Sequence, residues 1–101
     1  MNTAISINRV PIRLSDERWV HIVESHDDLA GRYCDILEGI SQPSYVVEGT
    51  EEALIALSVE PDGTFLVVVY REISQNDGFV LTAYRTSKRD KMLRRQIVWP
   101  K

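Results

Sequence analysis

The stretch Pro61-Asp62-Gly63-Thr64-Phe65-Leu66-Val67-Val68-Val69-Tyr70-Arg71-Glu72-Ile73-Ser74-Gln75-Asn76-Asp77-Gly78-Phe79-Val80-Leu81-Thr82-Ala83-Tyr84 decides the fold. Phe65 to Tyr70 is apolar without alternation, as in a central strand that is covered on at least one side and touches apolar neighbours on both. Before it, Pro61-Asp62-Gly63 carries turn chemistry, with proline presetting a negative φ and glycine admitting a positive one. Asn76-Asp77-Gly78 reads as a second tight turn of the same kind. The segments Ala53–Glu60, Thr64–Ile73 and Gly78–Tyr84, rich in Val, Ile, Tyr, Phe and Thr, are therefore expected as antiparallel strands of a meander, with Ser44–Glu48 before them.

Upstream the period changes. After an extended segment at Val10–Leu14, Ser15 is a good N-cap, and Asp16 and Glu17 follow where the helix dipole favours negative charge. A helix from Asp16 to about His26 is expected. Asp27 or Asp28 would cap a second helix, in which Leu29, Tyr33, Ile36, Leu37 and Ile40 recur as an amphipathic stripe until Gly39 and Ser41-Gln42-Pro43 stop it. Helices first and strands afterwards is the α+β order, with N-terminal helices packed on an antiparallel sheet of four to five strands.

The chain has 101 residues, of which 44% are hydrophobic and 27% charged, the profile of one globular domain spanning residues 1–101. Its single cysteine, Cys34, cannot form an intrachain disulfide and is expected as a buried small hydrophobe of the second helix. No apolar run approaches the roughly 20 residues of a membrane helix, and the N-terminal segment lacks a signal-peptide core. A cytoplasmic protein with no membrane contact is expected.

Charge is unevenly spread. Residues 1–84 hold five basic and fourteen acidic side chains, net −9, whereas residues 85–101 hold seven basic and one acidic, net +6. A basic C-terminal segment, 85–101, on an acidic body suits an anionic partner, an acidic protein, or docking on its own domain. Ile97-Val98-Trp99 reads either as interface anchors beside Arg94 or as a final edge strand.

Two clusters carry candidate chemistry. On the first helix Arg18 and His21 share a face, while His21 and His26, five residues apart, diverge by about 140°. That spacing disfavours a shared zinc site, and no metal or cofactor is expected. In the closing strand, alternation puts Thr82, Tyr84 and Thr86 on one face and Ala83, Arg85 and Ser87 on the other. Cations and hydroxyls running into Lys88 and Arg89 suit phosphate oxygens. Glycine-rich phosphate loops, CxxC pairs and a nucleophile elbow are absent from the sequence.

The strings RLSDERWVHIVESHDDL (residues 13–29), FLVVVY (65–70) and FVLTAYRTSK (79–88) resemble the phage-associated nuclease-like domains grouped with barnase, EndoU, colicin and RelE-type ribonucleases. The resemblance covers roughly Ile12 to Lys88. It implies a barnase/RelE-like fold and metal-independent endoribonuclease activity, as in the toxin of a toxin–antitoxin pair, with RNA as substrate and an acidic antitoxin or a second copy as partner. Its matching positions are Arg18, His21 and His26 in the helical string and Thr82, Tyr84 and Thr86 in the closing strand. With the cations and hydroxyls of that strand and its continuation, the expected catalytic set is Arg18, His21, His26, Tyr84, Arg85 and Thr86, with Thr82, Ser87, Lys88 and Arg89 binding substrate. Ser25 and Asp27 depart from the family pattern, which has a basic residue and a proline beside the second histidine. The alternative is an inactive interaction module of the same fold, binding a partner or dimerising through its basic tail.

Overall fold

A computed structural model describes residues 2–101. In chain order its elements are β1 (Thr3–Ile5), β2 (Pro11–Arg13), α1 (Asp16–Ser25), a 3-10 turn (Asp27–Leu29), α2 (Tyr33–Ser41), β3 (Tyr45–Glu48), β4 (Leu54–Val59), β5 (Phe65–Ser74), β6 (Asp77–Thr86), α3 (Arg89–Leu93) and β7 (Ile97–Trp99). The strands form one sheet in the order β1-β2-β6-β5-β4-β3-β7. The class is α+β. The sheet has seven strands rather than four or five, and it is mixed, because β2 runs parallel to β6 through Ile12–Gly78 and Arg13–Phe79. Of the three-residue strands, β2 falls within the extended segment expected at Val10–Leu14 and β7 is the edge-strand alternative for Ile97–Trp99, whereas β1 is too short to show a period in the sequence.

The meander β3-β4-β5-β6 is antiparallel throughout, and β5 lies at its centre. Side chains opposite one another in such pairs share a face. Leu66, Val68 and Tyr70 therefore pack with Val80 and Ala83 beneath the helices, which supply Ile22, Leu29, Ile36 and Ile40. Phe65 and Val67 point the other way and join Val47, Ile55, Leu57 and Met92 of α3. A helix on each side of β5 explains why its sequence is apolar in both registers.

Local chemistry sets the elements. The Ser15 hydroxyl accepts from the Arg18 N–H at 3.1 Å, as expected for the N-cap of α1. The single second helix foreseen from Asp27 is instead divided. A 3-10 turn carries Leu29 into the core, Gly31 takes φ +82°, and α2 starts only at Tyr33. The positive φ at Gly31 is incompatible with a continuous right-handed helix. Cys34, in the first turn of α2, is exposed rather than buried.

The β4–β5 connection turns at Pro61-Asp62-Gly63, where Gly63 N–H donates to Glu60 O at 2.9 Å. The β5–β6 turn falls one residue earlier than its glycine suggests, on Gln75 and Asn76, with Ser74 opposite Asp77. Gly78 belongs to β6. A Cβ there would lie 2.5 Å from Ile12 Cδ1 and 2.6 Å from Arg71 O, so close strand approach selects the glycine. The C-terminal segment is no free tail: Met92 is buried, and β7 pairs with β3 through Val46–Trp99 and Val47–Ile97.

Candidate functional site

Register fixes the closing-strand side chains. Thr82, Tyr84 and Thr86 stand opposite Val69, Val67 and Phe65, and so lie on the face that α3 partly covers. Arg85 stands opposite Leu66, on the face beneath α1 and α2. The sheet thus separates Arg85 from Tyr84 and Thr86.

His26 ends α1, its backbone N–H donating to Ile22 O at 2.8 Å while its carbonyl accepts from Leu29 N–H at 3.0 Å. Because β2 pairs only with Gly78 and Phe79, β6 is open on that side from Val80 onward. Tyr84 lies in this stretch, and its ring centroid is 5.9 Å from that of His26, the planes inclined at 36°. Rings at such separations attract and restrain one another. A histidine from the end of α1 and a tyrosine from late β6 therefore meet.

Arg89, at the start of α3, places its guanidinium 5.0 Å from the centroid of Phe65, the residue opposite Thr86. Among the described residues Arg89 forms no ion pair, and its Nε is buried without a hydrogen-bond partner. Thr86 Oγ1 accepts from the Lys88 N–H at 3.1 Å, shaping the turn into α3. Ser87 and Lys88 are exposed. Arg89 thus packs on the sheet face that carries Tyr84 and Thr86, and among the described residues no carboxylate pairs with it.

Arg18 and His21 are exposed on α1, and no described contact links either to Tyr84. His21 Nδ1 lies 3.8 Å from Glu24 Oε1 instead. Arg85 is committed elsewhere. Its Nη2 bonds to Asp62 Oδ2 at 2.7 Å and Thr64 Oγ1 at 3.2 Å, its Nε lies 3.5 Å from Glu60 Oε1 without hydrogen-bond alignment, and its Nη1 is 3.8 Å from Asp28 Oδ2. Arg32 takes the same Glu60 in a bidentate pair at 2.6 and 3.0 Å, and Asp35 at 2.8 Å.

These residues border an open depression of about 450 Å³ lined by Asp28, Arg32, Glu60, Pro61, Asp62 and Arg85. Hydrogen bonds donated to Glu60 and then to Asp35 hold the Arg32 guanidinium more firmly charged than usual. The Thr64 hydroxyl and N–H, with Arg85, hold the Asp62 carboxyl below its ordinary range. Phosphate approaching Arg85 would meet three carboxylates. Sequence spacing could not show this, since the acids come from the 3-10 turn, the end of β4 and a hairpin turn.

No group of three or more His, Cys, Asp or Glu among the described residues is arranged to hold a metal ion, and no helix of the structure is long and apolar enough to cross a membrane. No protein-family model, curated protein or solved structure matches the chain.

Proposed function

We propose that the chain is a small endoribonuclease of the barnase/RelE-like kind, with its reaction centre where His26 meets Tyr84. The observation that carries this reading is the 5.9 Å approach of the two rings on an open strand edge, with Tyr84 sharing its sheet face with Thr82, Thr86 and, against Phe65, Arg89. An imidazole can accept a proton at one ring nitrogen and donate one from the other, so His26 suits proton transfer. The Tyr84, Thr82 and Thr86 hydroxyls are donors for phosphate oxygens, and Arg89 supplies a forked cation for charge developing there. In this reading Arg89 takes the phosphate role expected of Arg85, because Arg85 faces the other side of the sheet and is bound by carboxylates.

RNA can cleave itself given such help. A base takes the 2′-hydroxyl proton, the 2′-oxygen bonds to phosphorus, the bond from phosphorus to the 5′-oxygen breaks, and an acid protonates the departing oxygen. The products are a 2′,3′-cyclic phosphate and a 5′-hydroxyl end, with no cofactor consumed. An acidic antitoxin would cover the same cationic face, with Lys88, Lys91 and Arg94 exposed toward it. A fluorescent RNA and its 2′-O-methyl counterpart test the reading. Cleavage of the first alone, yielding cyclic phosphate ends, is expected, whereas equal cleavage of both or of neither contradicts it.

A further inference from the structure

Among the described residues the His26 ring makes no hydrogen bond, so its direction depends on the segment that carries it. That segment, His26 to Arg32, is a 3-10 turn followed by a positive-φ glycine, a short piece of chain with little helical restraint of its own. Besides the buried Leu29, two ionic ties fasten it to the sheet. Asp28 reaches Arg85 Nη1 at 3.8 Å, and Arg32 holds Glu60 through two parallel hydrogen bonds. Glu60 in turn lies between Arg32 and Arg85, and Arg85 is anchored by Asp62 and Thr64 from the β4–β5 turn. Arg85 is the residue after Tyr84, so the same strand presents the tyrosine to one side and grips the histidine's segment on the other.

We infer that Arg85 is a positioning residue: with Glu60 and Arg32 it clamps the His26–Arg32 segment to the sheet and so sets the His26 ring against Tyr84. This rests on the reading of His26 as the proton-transfer group. The clamp requires a planar, forked cation, because Arg85 addresses Asp62, Glu60 and Asp28 in three directions at once, which a lysine ammonium on one flexible stem does less well. A surface ion-pair cluster serving only stability would leave the His26 environment unchanged when one member is removed.

The experiment follows the His26 ring proton resonances of the full chain by NMR, with cleavage kinetics alongside. Tyr84→Leu supplies the reference, since it removes the neighbouring ring current. Arg85→Gln is expected to shift the His26 resonances toward that reference and to lower kcat on the order of 10–100-fold with little change in KM. Arg85→Lys is expected to restore part of both. Resonances that stay at the wild-type position in a folded Arg85→Gln protein overturn the inference, whatever its melting temperature. Should Arg85→Gln not fold, Asp28→Asn, at an exposed site, is judged by the same resonances. A wild-type protein that cleaves no RNA refutes the proposed activity, and the resonances alone then decide the clamp.

Discussion

Two single residues expose the constraints of the sheet most directly. At Gly78 an alanine methyl would collide with the side chain of Ile12 and with the backbone oxygen of Arg71, and a backbone atom between paired strands cannot simply swing away. Gly78→Ala is expected to destabilise the protein by about 2–3 kcal/mol, as overpacking does, read as a lower urea midpoint. Tyr70 is fully buried with its hydroxyl unpartnered. Burial, and then the charge of Glu72, push its pKa well above the ordinary value. The folded state thus keeps the proton after the unfolded chain has lost it. Stability from this group is present below pH about 10 and declines as pH rises further. Tyr70→Phe removes an unsatisfied buried donor, so it should leave stability equal or raise it by about 1 kcal/mol and weaken the alkaline decline. Urea denaturation at pH 7 and pH 11 checks both statements.

Among the elements, those whose residues carried their own signal were legible in the sequence. Ser15 with Asp16 and Glu17 marked the start of α1, and the doubly apolar Phe65–Tyr70 marked β5 as central. Less legible were features decided by distant partners. β1 is a strand because β2, itself paired to β6, offers it an edge, and α3 is a helix because Met92 and Leu93 cover Phe65, Val67 and Leu57. The break at Gly31 had a local cause, but the Leu29–Ile40 stripe concealed it: Leu29 enters the same core from a 3-10 turn as it would from a helix. Of the candidate site, Thr82, Tyr84 and Thr86 were correctly placed on one face by alternation alone. The engagement of Arg85 depended on acids up to 57 residues away in sequence and could not be read. If α3 is an integral layer, Met92→Ala should cost about 2 kcal/mol of stability, measured by chemical denaturation, whereas a loosely attached tail would show no change.

For the whole molecule, the division of charge has a structural form. Beyond Arg85 the basic segment covers one face as α3 and extends the sheet as β7, while the acids of the 3-10 turn, the end of β4 and the β4–β5 turn gather around Arg32 and Arg85 on the other face. The acidic body keeps the net charge at −3 and limits indiscriminate attraction to nucleic acid. Lys91 and Arg94 are exposed, and under the proposed activity they would give local, salt-dependent contacts to phosphates. In the ribonuclease reading, replacing both by glutamine should reduce the slope of log affinity against log salt by about 1.4 for single-stranded RNA, measured with an uncleavable 2′-O-methyl oligonucleotide. An unchanged slope would place the RNA on another surface.

The proposed reaction is metal-independent cleavage of RNA by His26, set against Tyr84 at the open edge of β6. The deciding measurement is the rate of cleavage of a mixed fluorescent RNA set in EDTA at low salt by the purified protein and by His26→Ala. Cleavage by the parent is expected to survive chelation and to fall by about 100-fold or more in the variant. Equal rates in the two proteins, or no cleavage by the parent, would contradict it.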